Sequence, residues 1–131
     1  MNDINNGWYK DGELHRTDGP AETWTNGSEF WYQNGKRHRD NGPAAIYANG
    51  DQSWYQNGQR HRTDGPAWIW ADGSEVWYRN GDIHRDDGPA IKWADGSEFW
   101  YQNDKLLSQE EFIILQDSLK FDEMIRNMCS G

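Results

Sequence analysis

Tryptophan recurs every 23 residues along this chain, at Trp8, Trp31, Trp54, Trp77 and Trp100, and the text between these positions repeats four times without a gap. Each copy (8–30, 31–53, 54–76 and 77–99) opens Trp-Tyr-x-(Asn/Asp)-Gly-x-x-His-Arg and continues x-(Asp/Asn)-Gly-Pro-Ala. After two variable residues it closes with Trp or Tyr, one further residue and a second Asn-Gly or Asp-Gly. A fixed period of this size marks stacked units, each burying its apolar face only against its neighbours. The chain then divides into a lead-in at 1–7, four repeats and a truncated fifth at 8–104, and a C-terminal helical cap at 105–131.

The stack has to be held by rings. Nine tryptophans and six tyrosines stand in a chain of 131 residues that is poor in aliphatics, so a core must come from aromatic side chains on a thin sheet. The net charge is −9, from 13 Lys and Arg against 22 Asp and Glu. Nucleic acid and anionic membranes both demand a positive field, so neither is an expected partner. No stretch reads as a signal peptide or a bilayer span. Cys129 is the only cysteine, which excludes an internal disulfide and points to a cytoplasmic setting.

Asn-Gly and Asp-Gly are the strongest short signals for two-residue hairpin turns, because both residues tolerate positive φ. One set falls at Asp11-Gly12, Asn34-Gly35, Asn57-Gly58 and Asn80-Gly81, the other at Asn26-Gly27, Asn49-Gly50, Asp72-Gly73 and Asp95-Gly96. They predict a single-layer antiparallel β-meander with two strands per repeat, built from segments such as Ser28 to Gln33 and Ala67 to Ala71. Proline lacks a ladder donor, so Gly19-Pro20, Gly42-Pro43, Gly65-Pro66 and Gly88-Pro89 predict a bend. Two-residue turns at both places would set Tyr47 opposite Gln52, Ala45 opposite Trp54 and Trp54 opposite His61. One face then carries Trp, His and Glu or Gln; the other carries Tyr, Phe or Val, and Arg.

The pattern stops at Asp104, where the turn glycine should stand, and no His-Arg follows. Ser108-Gln109-Glu110-Glu111 reads instead as a capping box, with Leu107 and Phe112 at the spacing of a hydrophobic staple. Helical spacing continues through Phe112, Leu115, Leu119, Phe121, Met124, Ile125 and Met128, with a break into two short helices expected near Asp117-Ser118. This segment would either shield the last repeat or dock a partner.

Asn34-Gly35-Lys36-Arg37-His38, with Asn49-Gly50 eleven residues after the histidine, resembles the MORN repeat, which has the same period and an Asn-Gly-x-x-His core. The likeness spans residues 8 to 103. It departs where Arg16, Arg39, Arg62 and Arg85 replace the usual glycine after histidine, a form similar to divergent MORN-like repeats of bacterial and bacteriophage proteins, some labelled antitoxin-like. The resemblance implies a curved, single-layer β-sheet used for binding. The phospholipid role attached to the MORN name does not fit a net charge of −9.

Repeated chemistry argues for a surface and against a reaction centre. Strand spacing of about 4.8 Å puts equivalent histidines roughly 10 Å apart, too far for adjacent copies to share one ion at bond lengths near 2.1 Å. No metal or cofactor is expected. An enzyme needs one constellation of nucleophile and base, whereas His, Arg and Asp recur in every copy with no Ser or Cys beside the histidine. The candidate binding residues are therefore the ladders: Trp31, Trp54, Trp77 and Trp100, with Trp68; His38, His61 and His84; and Arg39, Arg62 and Arg85. For each there is a plainer role. The histidines would pack on their cross-strand tryptophans and bond into the Asp-Gly-Pro-Ala turn. The arginines would pair with a neighbouring Asp or with Glu29, Glu75 or Glu98, and the tryptophans would form the packing itself.

The leading functional expectation is a non-catalytic cytoplasmic protein that attaches to and inhibits a partner protein with a basic surface, as a bacteriophage anti-defence or antitoxin-like inhibitor would. One alternative is a nucleotide or small-ligand sponge using the Trp and Arg ladders. Another is a self-associating structural module, including a homodimer. Positions that differ between copies, Glu22, Ala45, Trp68 and Ile91, are where specificity would be sought.

Overall fold

Each repeat contributes four short strands in the computed structural model, which describes residues 4–129. Two of the four join a ten-stranded antiparallel meander whose strands, in order, are Ile4–Gly7, Glu22–Trp24, Glu29–Phe30, Ala45–Ile46, Gln52–Ser53, Trp68–Ile69, Glu75–Val76, Ile91–Lys92, Glu98–Gln102 and Lys105–Leu107. The other two form a lateral hairpin, as in Tyr32–Gln33 with Lys36–Arg37 and Tyr55–Gln56 with Gln59–Arg60. A single helix, α1 (Gln109–Cys129), ends the described chain. The all-β meander with a helical cap thus forms as expected, with two strands per repeat in the long sheet and a hairpin added beside it.

The two sets of turns close differently. At Asn57-Gly58 both residues are left-handed, with φ of 50° and 84°, and the two-residue loop pairs Tyr55 with Arg60. His61 N–H donates to Trp54 O at 3.1 Å, so Trp54 does lie across from His61. At Asn49-Gly50 only the glycine is left-handed, with φ of 100°. Asn49 Oδ1 accepts from Asp51 N–H at 3.0 Å, and Tyr47 N–H donates to Asp51 O at 2.9 Å, which makes a three-residue loop.

That extra residue corrects the expected register. Ala45 pairs with Ser53 and Ile46 with Gln52, not Ala45 with Trp54 or Tyr47 with Gln52. A slip of one residue exchanges the faces of a strand. Ser53 therefore enters the sheet interior, and the proposed Trp, His and Glu or Gln face does not form in the long sheet. The segment expected as one strand from Ser28 to Gln33 breaks at Trp31 into Glu29–Phe30 and Tyr32–Gln33, and the strand expected at Ala67 to Ala71 shortens to Trp68–Ile69. The chain passes from long sheet to lateral hairpin at this tryptophan.

The core sits where the two surfaces meet. Phe30, Ala44, Ala45 and Tyr55 form a buried cluster, with Trp24, Trp31, Tyr32 and Tyr47 packed on it. Phe30 meets Tyr47 edge to face, with centroids 5.4 Å apart. The alanine of each Gly-Pro-Ala, at 21, 44, 67 and 90, is fully buried. The bend expected at Gly-Pro is the loop that carries the chain from the lateral hairpin back to this interior.

At the C-terminal end Asn103 and Asp104 take φ of 47° and 67°, so a fifth hairpin closes without glycine and pairs Trp100 with Leu107. A hydrogen bond that the protonated Asp82 carboxyl donates to Asp104, reinforced by the Asp104 charge, holds the Asp82 carboxyl above the usual aspartate range. The capping box is present: Glu111 N–H donates to Ser108 Oγ at 3.0 Å, and Ser108 N–H to Glu111 Oε1 at 3.1 Å. Hydrogen bonds from the Ser108 amide and hydroxyl hold the Glu111 carboxyl below its ordinary value. Contrary to the expected break, α1 runs uninterrupted through Asp117-Ser118, because 109–129 contains neither Gly nor Pro to end the hydrogen-bond ladder.

Ser53 is the weak point of the interior. It is fully buried and its Oγ has no hydrogen-bond partner, whereas the equivalent positions hold Phe30, Val76 and Phe99. Removing an unsatisfied buried hydroxyl is stabilising, so Ser53→Val is expected to add about 1 kcal/mol and raise the melting temperature by a few degrees in circular-dichroism melts.

Candidate functional site

The arginine after each histidine lies flat on the tryptophan that opens its own repeat. Arg16, Arg39, Arg62 and Arg85 place Cζ 4.0, 3.9, 4.1 and 3.9 Å from the ring centroids of Trp8, Trp31, Trp54 and Trp77. The other face of each guanidinium meets the glycine of Gly-Pro-Ala. A Cβ added at Gly65 would stand 2.8 Å from Arg62 Cζ, so a side chain there would displace the guanidinium. Nη1 then donates to the following proline carbonyl at 3.0 to 3.2 Å, and Nε of Arg16, Arg62 and Arg85 donates to Asp18, Asp64 and Asp87 at 2.8 to 3.0 Å. Arg16 holds the Asp18 carboxyl below its ordinary range. In the second repeat Asn41 replaces the aspartate. The pairing with a neighbouring Asp holds in three copies, and the partner is this one rather than Glu29, Glu75 or Glu98.

The histidines clasp one repeat to the next. Nδ1 of His15, His38, His61 and His84 accepts from the backbone N–H of Asn34, Asn57, Asn80 and Asn103 at 2.9 to 3.1 Å. This corrects the expectation that they bond into their own Asp-Gly-Pro-Ala turns, because the register brings the following Asn-Gly turn within reach first. Nε2 of His38 and His84 faces Asp40 and Asp86 at 2.9 and 2.7 Å. A second seam joins the three-residue turns, where Ser28, Asp51 and Ser74 accept the N–H of Ala48, Ala71 and Ala94 at 2.8 to 3.0 Å. The residue after each second turn glycine gave no signal beyond its recurring small polar type.

Two candidates are tied into aromatic clusters and stay partly exposed. Trp68 stacks on Trp70 at 4.5 Å, with Arg60 Cζ 3.7 Å from its ring centroid. Trp100 lies against Phe112 at the base of α1. The variable positions turn inward: Glu22, Ala45 and Ile91 are buried, and Glu22 accepts from Trp24 Nε1 at 2.6 Å. Arg37 and Arg60, not singled out by the sequence, lie among Tyr32, Tyr55 and Tyr78. Burial favours the neutral form of Arg37, yet the Tyr32 and Tyr55 hydroxyls outweigh it and hold its pKa above the ordinary value.

The remaining candidates gather in a row of open grooves between successive Gly-Pro loops. The middle groove, of about 710 Å³, is lined by Arg39, Asp40, Trp54, His61, Arg62 and Asp64. The next, of about 490 Å³, holds Arg62, Asp64, Trp77, His84, Arg85 and Asp87, and a smaller one of about 240 Å³ holds Asp18, Trp31, His38 and Arg39. Their charges are arranged unequally. Side chains of Arg16, Arg62 and Arg85 are 23 to 24% exposed, those of Asp18, Asp64 and Asp87 77 to 83%.

Among the described residues no group of three or more His, Cys, Asp or Glu is placed to hold a metal ion. No helix there is long and apolar enough to cross a membrane. No protein-family model matches the chain, and neither curated proteins nor solved structures give a match.

The clasp demands the Nε2–H tautomer of all four neutral rings, which long-range ¹H–¹⁵N spectra at alkaline pH are expected to show; an Nδ1–H ring would contradict it. Because the guanidinium is stacked and forked, Arg62→Lys is expected to lower stability by about 1 kcal/mol in urea titrations despite keeping the charge. Gly65→Ala, which leaves too little room for the same guanidinium between the new Cβ and Trp54, is expected to cost at least as much.

Proposed function

We propose that this chain is a non-catalytic binding protein whose row of inter-repeat grooves attaches to a basic surface on a partner protein. The observation that carries this reading is the unequal exposure of charge on the loop face: arginines are folded under tryptophan, and aspartates project. A partner meets a regular row of carboxylates with partly exposed indoles between them. Such a surface matches the potential of a basic site and speeds encounter with it. Occupying that site would inhibit whatever normally binds there, as an antitoxin-like or anti-defence inhibitor does. The MORN-like repeat pattern supports the same reading, since it implies a sheet used for binding. Engagement of every repeat arginine by Trp and the Pro carbonyl, and of three of the four by Asp, favours a protein partner over a nucleotide held by the arginine ladder.

Capture from lysate of the source cell tests the proposal. Wild-type protein is expected to retain a stoichiometric basic partner at moderate salt and to release it as salt rises. Asp40→Asn, Asp64→Asn and Asp87→Asn together keep a side-chain oxygen as acceptor at each position and remove three charges. This variant is expected to fold like wild type and to weaken capture at least 10-fold. Equal capture by both proteins, or no stoichiometric partner at all, would remove the reading.

A further inference from the structure

The C-terminal helix presents its apolar stripe away from the protein it caps. Phe112 is the buried residue of α1 and packs near Trp100, and the Gln116 side chain reaches the Asp86 carbonyl. Phe121 comes nine residues after Phe112, which at about 100° per residue puts it on the opposite side of the helix. Ile114, Phe121 and Met128 follow one another at intervals of seven, with Met124 and Ile125 beside them. These five side chains are 43 to 72% exposed. At roughly 200 Å² for each large side chain when open, they show on the order of 600 Å² of apolar surface. Such a patch is at the upper limit of what a monomer ordinarily leaves in water.

We infer that this stripe is the interface of a homodimer, in which α1 packs antiparallel against α1 of a second copy about a two-fold axis at Phe121. The spacing is self-complementary. Residues seven before and seven after Phe121 are both large and apolar, so an antiparallel pair sets Ile114 of each copy beside Met128 of the other and one Phe121 ring on its mate. An isologous contact requires this identity of one patch with its own reverse. Two stripes bury about 1,200 Å², the lower bound for a specific interface. The inference is independent of what the repeat face binds, and the pairing would join two such faces back to back through their caps.

The test uses the full chain. Sedimentation and light scattering across the micromolar range are expected to give twice the monomer mass of 15.3 kDa. Phe121→Lys, at an exposed position, is expected to leave the melting curve of the repeats unchanged and to reduce the mass to that of one chain. As a second arm, Phe121→Cys in a Cys129→Ser background places two thiols at the two-fold axis. It is expected to cross-link under mild oxidation at least 10-fold faster than Lys36→Cys in the same background. A monomeric wild-type chain, a dimer that survives Phe121→Lys, or cross-linking no faster at 121 than at 36 would each overturn the proposal.

Discussion

An arginine held between an indole and a Gly-Pro backbone is the joint on which every repeat turns. It fixes the tryptophan where the chain leaves the long sheet, holds the loop that returns the chain to it, and places the following alanine in the interior. Cation–π contact and a charge-assisted fork to a carbonyl and a carboxylate are modest singly but act on one rigid group. Lysine could supply the charge without the plane. The invariant glycine follows from the same contact, since a side chain there would occupy the space of the guanidinium.

From this joint the stack propagates by local contacts. The histidine Nδ1 and the Ser or Asp after the second turn each reach one repeat onward, and backbone bonds such as Gly58 N–H to Arg37 O run beside them. Each unit is therefore stabilised by its neighbours, as in other repeat proteins. The two ends differ. Trp100 is covered by Phe112, whereas Trp8 and Tyr9 stay largely exposed.

Using His, Arg and Asp for the joint and the clasp also shapes the surface. Residues that could hold a ligand in another setting are committed to one another here, and what remains outward is carboxylate and indole edge. Acidity at these grooves is thus a by-product of how the fold secures its arginines. A binding role for the loop face and a pairing role for the helix face would occupy separate parts of the molecule.

The period, the hairpins at Asn-Gly, the bend at Gly-Pro and the capped helix were all legible in the sequence, because each depends on backbone preferences of residues adjacent in the chain. Trp54 opposite His61 followed from a turn in which both residues take positive φ. The register at Asn49-Gly50 did not, because a hydrogen bond from Asn49 to Asp51 selects a three-residue loop that the dipeptide alone does not distinguish. Likewise the sequence showed that His, Arg and Trp recur in register, but not what they touch. Only the tertiary fold brought His38 to the Asn57 amide of the next repeat and set Arg60 over the Trp68 ring, because those contacts join residues that no local preference brings together.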